Sequence, residues 1–352
     1  MVRVGLLGFG MAAKAFHAPV IRGVSGMELA AVLQRHGDEA RQKYPQVRVV
    51  RTLDEMLSDQ TIDLCVIATP NDSHYGFAKT CLEAGRHVVV DKPLTPTLAE
   101  AEDLVRLARE HGRLLTVYQD RRYDGISHTV RKLVESGVLG DIAEYEARYD
   151  RFRPEPKANA WRERADFPAA GVLWDLGPHL IDQALVLFGE PTAVSATAIR
   201  QRKTSRTDDA FDVFLEYPWL RATLKARIIA YAPGPNLLIH GTGGSFIKYG
   251  MDPQEAALRG PNCPDGLDWG ENWGLEPEEN WGTLSLVSGE TRKVPTDRGD
   301  YRGFYANVRD VIEKGASPDV TPKQFLGTMR AIVLAHKSSR ERRVVQWNEP
   351  AE

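Results

Sequence analysis

Between residues 1 and 120, short apolar β-branched runs alternate with longer amphipathic stretches, and few folds accept that rhythm. Val2–Leu7, Leu29–Leu33, Val47–Val50, Ile62–Ala68, His87–Val90 and Leu114–Val117 read as strands. Ser73–Ala84 and Leu98–Glu110 carry helical spacing, the latter with Ala101, Leu104, Val105 and Ala108 on one face. Gly85 and Gly112 follow them where C-cap glycines belong. Near-continuous apolar strands alternating with helices imply a doubly wound parallel sheet covered on both faces.

The pattern changes around Asp120–Asp124. A helix at Ile126–Val134 and a turn at Gly137–Gly140 lead into longer alternating strands at Ile142–Asp150, Val194–Arg202, Ala210–Glu216 and Ala222–Ile229. Helices are expected at Asp175–Phe188, Tyr301–Lys314 and Lys323–Arg340. The fold class expected is therefore α/β, with a Rossmann domain over residues 1–122 and an α+β domain over 123–352 built on a large, mostly antiparallel open sheet. One face of that sheet lies over helices, and the other is expected to offer apolar positions for a homodimer or homotetramer. Residues 251–283 are rich in Pro and Gly but hold Trp269, Trp273 and Trp281, so an ordered excursion is expected.

A length of 352 residues suits two domains, and 42% hydrophobic with 26% charged residues is globular composition. A net charge of -3 leaves no basic footprint for nucleic acid or a lipid surface. Three cysteines without a CxxC pair argue against a disulfide framework and fit a reducing compartment. No run approaches the ~18 apolar residues of a membrane span, and the N-terminus lacks the apolar stretch of a signal peptide. A cytoplasmic location is expected.

Four constellations carry chemistry. The first strand runs into Gly8-Phe9-Gly10-Met11-Ala12-Ala13, a GxGxxA spacing. Gly8 allows the tight turn, Gly10 lets backbone approach a pyrophosphate, and Ala13 lets helix and strand pack closely. The segment Ala68-Thr69-Pro70-Asn71-Asp72-Ser73-His74 puts polar groups at the carboxyl edge of the sheet, where ligands bind in open α/β folds, although Asp72 or Ser73 also suits a helix cap. Val88-Val89-Val90-Asp91-Lys92-Pro93 brings a lysine to a strand end, where a partly desolvated ammonium becomes a usable donor or proton partner. Asp175 and His179 stand one helical turn apart, giving an imidazole with a carboxylate beside it, as a general acid or base near pH 7 needs. The plain alternatives are a strand-end lysine, a capping aspartate and a satisfied histidine. Ligand-spaced His and Cys clusters are missing, so no metal is expected.

Taken in order, GLLGFGMAAKAFHAPVI, ATPNDSH, VVVDKP, DRRYD, YDRFRPEP, AWRE, LWDLGPHLIDQALVLFG and FIKYGMDPQE resemble the Gfo/Idh/MocA oxidoreductases over essentially the whole chain, nearest to the NADP-dependent scyllo-inositol 2-dehydrogenase subgroup. The chain departs from that pattern at Asp91, where the family usually has Glu, and at Asp120, where relatives often have Asn. The resemblance implies Lys92, Asp175 and His179 as the catalytic set and a cis Lys92–Pro93 bond. It also implies Trp161 and Arg162 beside the nicotinamide half of the cofactor, and Arg122, Tyr123, Phe152, Arg153 and Tyr301 near the substrate.

The expected reaction is reversible oxidation of a secondary alcohol on a small polyol or sugar, with the cofactor carrying the redox chemistry. Gln34 holds the place, ~20 residues past the glycines, where NAD-specific domains put an acid on the ribose 2′-hydroxyl, and Arg35 follows it. An uncharged residue followed by a guanidinium favours NADP over NAD. Two rivals stand beside this reading. A catalytically silent nicotinamide-sensing regulator has no need of Lys92 with the Asp175–His179 pair. An NAD-dependent glycoside hydrolase begins with the same hydride step and is separated by aglycone release from a chromogenic glycoside.

Overall fold

The computed structural model describes residues 1–156 and 160–351. The apolar runs become strands β1 (Val2–Leu7), β2 (Met27–Leu33), β3 (Arg48–Val50), β4 (Leu64–Ile67), β5 (His87–Asp91) and β6 (Leu115–Tyr118). All pair in parallel, in the order β3-β2-β1-β4-β5-β6. This is the doubly wound order whose direction reverses between β1 and β4, the edge at which such sheets bind ligands. Leu6, Leu7, Val66, Ile67, Val89 and Val90 are fully buried, each contributing about 1.5–3 kcal/mol over an exposed side chain. The helix Leu98–Glu110 starts at a capping box in which Thr97 and Glu100 satisfy each other's backbone N–H groups.

This unit comprises Met1–Tyr123, Pro253–Trp273 and Asp300–Phe325. The last two segments lie beyond a single cut after residue 122, so the chain returns twice to its first unit. The tryptophan-rich stretch explains one return. Trp269 is buried in T-shaped contact with Trp273, with the Arg302 guanidinium over its ring at 4.8 Å. Its indole leaves no room for a Cβ at Gly23, and its N–H donates to the Gly266 carbonyl at 2.8 Å.

The second unit comprises Asp124–Asp252, Gly274–Gly299 and Leu326–Glu352. Its strands are β7 (Ile142–Asp150), β8 (Ala193–Ile199), β9 (Ala210–Glu216), β10 (Arg221–Arg227), β11 (Leu237–Gly241), β12 (Gly244–Lys248), β13 (Gly282–Leu286), β14 (Thr291–Val294) and β15 (Val345–Gln346). The sheet order is β14-β13-β12-β11-β7-β10-β9-β8-β15, antiparallel throughout except for the parallel pair β7–β10. One face packs Tyr145, Ala147, Leu224, Ile239 and Phe246 with Leu173, Leu176, Leu180 and Ile181 of the helix Val172–Phe188.

The opposite face mixes apolar and charged positions: Leu238 stands across from Glu146, Ile247 across from Leu238, and Phe214 lies on the same side of its strand as Asp212. Glu146 receives Lys225 at 2.6 Å and Arg148 at 2.7 Å, and Arg227 meets Asp212 at 2.5 Å. Alternation along β7 and β10 puts these charges on the side away from the helices, so ion pairs stand among the apolar side chains of that face. No helix among the described residues is long and apolar enough to cross a membrane.

Candidate active site

In the first unit, chemistry gathers at the carboxyl ends of the parallel strands. Gly8 has a φ of 91°, and a Cβ there would sit 2.9 Å from the Ala68 carbonyl oxygen, so this turn excludes other residues. Gly10 differs, because a Cβ added to it meets nothing within 4 Å. Packing makes no demand for glycine at that position. The bare backbone instead leaves an open approach at the start of the first helix, which fits a dinucleotide pyrophosphate. Ala13 is fully buried, whereas Met11 is exposed and Phe9 packs edge-on to Tyr44.

The loop after β2 is built by two side chains. Gln34 is buried and its amide serves the loop, donating to the His36 carbonyl at 2.9 Å and to Glu39, and accepting from Ala40 N–H at 3.0 Å. Arg51 donates to the carbonyls of Gln34 at 2.8 Å and Gly37 at 2.6 Å, and to Asp38 at 2.7 Å. Arg35, between them, is exposed and makes no hydrogen bond or ion pair among the described residues. Gln34 thus shapes the loop that presents Arg35.

Beside β4, Ser73 donates to the Thr69 hydroxyl and the Pro70 carbonyl, each at 2.7 Å, while Asn71 is buried. His74 is fully buried, with Nδ1 2.9 Å from the Pro93 carbonyl and Nε2 2.9 Å from the Thr69 carbonyl. It therefore ties the Thr69 turn to the Lys92–Pro93 turn, and both its nitrogens are engaged. Burial pushes its pKa down, against the raising effect of Asp91 and the carbonyls. The Lys92–Pro93 bond is cis, as the resemblance implies. Asp91 Oδ1 accepts the Lys92 N–H at 2.8 Å. Burial alone would raise the Asp91 carboxyl, but His17, Lys92 and His74 together hold it well below the usual range.

The substrate candidates of this unit are tied into its packing. Arg122 donates to the Asp319 carbonyl at 2.6 Å and to Gln324 at 3.1 Å, and the Tyr123 hydroxyl donates to Asp319 at 2.6 Å. Tyr301 is fully buried and accepts from Arg121 at 2.9 Å, while Arg121 also pairs with Glu255. Asp120 is buried, and burial raises its pKa.

In the second unit, the helix Val172–Phe188 carries Asp175 and His179 on one face. Gly171 precedes it at φ 99°, where a Cβ would run into the Asp208 carboxylate. That carboxylate accepts the Leu173 N–H at 2.8 Å, and the Asp208 carbonyl accepts the Val172 N–H at 2.9 Å, so a residue distant in sequence caps the helix. Arg162 Nε lies 3.1 Å from Asp175 Oδ1, and its guanidinium stacks over the Trp161 ring at 4.1 Å. Trp161 in turn packs on Phe167 at 4.7 Å. Arg162 is thus brought to Asp175, a pairing the residue pattern did not indicate. His179 is nearly buried, its ring 6.3 Å from that of Tyr149. Phe152 is half exposed and packs edge-on to Tyr231, and the Arg153 N–H donates to the Ile228 carbonyl at 2.7 Å.

Three residues escaped the sequence reading. His17 lies one helical turn past the glycine motif and two residues before a proline, Arg51 follows the third strand, and Asp208 belongs to an acidic pair before β9. Each has a local signal that is ordinary by itself. Among the described residues no group of three metal-ligating side chains gathers.

Comparison with known proteins supplies the family context. Residues 2–119 match the family model described as oxidoreductase family, NAD-binding Rossmann fold, and residues 127–247 match the GFO/IDH/MocA C-terminal domain. Scyllo-inositol 2-dehydrogenase (NADP(+)) IolW of Bacillus subtilis is 38% identical over 347 residues, spanning 98% of this chain and 95% of that protein. D-glucoside 3-dehydrogenase of Escherichia coli is 30% identical over 200 residues, spanning 56% of this chain and 57% of that protein. The structure of the oxidoreductase yvaA from Bacillus subtilis superposes with a TM-score of 0.92 at 37% identity, covering 98% of each chain.

Proposed function

The chain belongs to the Gfo/Idh/MocA oxidoreductase family, and from that premise we propose that it interconverts a secondary alcohol and a ketone on a small cyclic polyol or sugar, with NADP preferred over NAD. The observation that carries this reading is the bare, open backbone at Gly10 on the strand edge where the sheet order reverses. It leaves room for a dinucleotide where the fold binds one. Bound nicotinamide supplies the hydride acceptor or donor.

The chain's own residues do the rest. Lys92 donates a hydrogen bond to the reacting oxygen and stabilises its alkoxide-like charge. His179 accepts the hydroxyl proton during oxidation and returns it during reduction. Asp175, held by Arg162 at 3.1 Å, orients a polyol hydroxyl or the lysine and holds the local charge balance. Arg35 is the guanidinium offered to a 2′-phosphate, and Gln34 removes the carboxylate that would repel one. The ion pairs on the open face of the second sheet support pairing of two chains, since alternating charges can be self-complementary across a two-fold axis.

The test is a cofactor-reduction screen over inositol isomers, aldoses and sugar acids, repeated with Lys92→Ala and His179→Ala. Each variant is expected to lose about 10²–10⁴ in kcat with little change in cofactor affinity. Near-wild-type turnover in both removes the assignment.

A further inference from the structure

The helix that follows the glycine loop opens irregularly. Ala13–His17 forms a π turn, in which the Ala18 N–H reaches back five residues to the Ala13 carbonyl. Pro19 follows directly and has no N–H to continue the ladder, and the Lys14 carbonyl is met instead by the Lys43 ammonium at 3.3 Å. Such a turn inserts one extra residue, re-aims the side chains after it, and recurs at functional sites. Here the re-aimed side chain is His17, which has no solvent exposure.

Its surroundings fix its proton. His17 Nδ1 lies 2.6 Å from the Tyr305 hydroxyl. Burial pushes the Tyr305 pKa well above its ordinary value, so this phenol keeps its proton and donates it to Nδ1. The ring proton of neutral His17 is therefore on Nε2. Nε2 points at Asp91 Oδ2, 4.0 Å away, and has no other partner among the described residues. The other oxygen of Asp91 already accepts the backbone N–H of Lys92. Tyr118 closes the arrangement, its ring 4.4 Å from that of His17 and its hydroxyl donating to the Phe16 carbonyl at 2.9 Å. Apolar packing gives no reason to bury an imidazole with one nitrogen short of a hydrogen bond.

We propose that His17 is a positioning residue for Lys92: with Tyr305 behind it, it orients the Asp91 carboxylate, and Asp91 sets the backbone and charge environment of the lysine. The π turn then links the cofactor-binding helix to the strand end that presents Lys92. This rests on the assignment of Lys92 to the reacting oxygen. The charged and titratable groups facing Asp91 are His17, Lys92, His74, Tyr118, Asp120 and Tyr305. Of these, His17 lowers the Asp91 pKa most, so its loss moves Asp91 titration upward.

The experiment uses the full-length protein with His17→Phe, His17→Gln and Tyr305→Phe. The last removes only a hydroxyl and keeps the proposal testable should the first fold poorly. Readouts are kcat and KM against pH, the NADPH dissociation constant by fluorescence, and the pH profile of Lys92 acylation by mass spectrometry. His17→Phe is expected to lower kcat roughly tenfold to a hundredfold, as a misplaced catalytic group does. NADPH affinity should stay within about threefold, and the acid inflection of kcat/KM should move to higher pH. His17→Gln, which retains a donor, should recover part of the loss, and Tyr305→Phe should show a smaller loss of the same kind. The Lys92 acylation profile should shift in His17→Phe. Unchanged kcat and an unchanged acylation profile in His17→Phe and Tyr305→Phe overturn the proposal, as does weakened NADPH binding with kcat intact. If Lys92→Ala proves fully active, the catalytic assignment falls separately, and the acylation profile still decides whether His17 governs the lysine.

Discussion

Replacing Asp208 by asparagine isolates one buried ionisation at the start of the helix that carries Asp175 and His179. Burial lifts the Asp208 pKa from the ordinary 3.8 to about 6, with the Asp209 charge adding to the rise and the Leu173 and Val172 N–H groups opposing it. A raised carboxyl titrates in favour of folding when protonated. Its contribution is fully present below pH 3.8 and is lost as the pH rises through 6. A shift of about two units amounts to roughly 3 kcal/mol at most. About half of it, roughly 1.4 kcal/mol, falls between pH 5 and pH 8. Asparagine keeps an oxygen for the Leu173 N–H and has no charge to desolvate. The difference in Tm between Asp208→Asn and wild type should therefore grow in the variant's favour from pH 5 to pH 8. At ~2–4 °C per kcal/mol the growth is about 3–6 °C.

The assay is paired thermal unfolding of both proteins across that range, because every other titration cancels in the difference. Asp208→Ala serves as the control: it loses the cap as well as the charge, and should melt below Asp208→Asn at every pH by the equivalent of about 1 kcal/mol. A Tm difference that is flat with pH, or that moves against the variant as pH rises, refutes the buried, ionising cap.

Gly8 and Gly10 should separate folding from binding. Gly8→Ala meets the Ala68 carbonyl at positive φ and should lower Tm, whereas Gly10→Ala enters open space and should leave Tm alone while weakening NADPH, as read by fluorescence titration. Arg35→Ala should raise KM for NADP far more than for NAD, and equal losses for both cofactors would sink the 2′-phosphate assignment. Lys225→Glu places a third like charge beside Glu146 and Asp150, and light scattering should show a smaller assembly than wild type if two chains meet on that face.

How far the sequence could be read depended on the distance over which each feature is specified. Strand β1, the helix Leu98–Glu110 and strands β7 and β9 end where the apolar period and its caps end, because those signals lie within a few residues. The same locality put Lys92 at a strand end and Asp175 with His179 on one helix face. Strands β11 to β14 went unread: they are short and cross several glycines, and although β11–β12 and β13–β14 are local hairpins, β11 meets β7 and β12 meets β13 only across long stretches of chain. The π turn is invisible to a search for helical period, since one extra residue per turn looks like noise in a short window. Asp208 looks like any acidic residue before a strand until the fold carries it to Gly171, where its charge and that glycine's φ explain each other. The open face is the instructive case. Glu144, Glu146, Arg148 and Asp150 alternate along β7 in plain view, while Phe214, Leu238 and Ile247 reach the same face from strands paired at a distance, so one strand's pattern gives only part of the face. A sheet face left open by its own chain needs a partner or water, and alternating ion pairs are compatible with both. Composition of the face therefore decides between an obligate core and a separable contact, and this one has the composition of a separable contact.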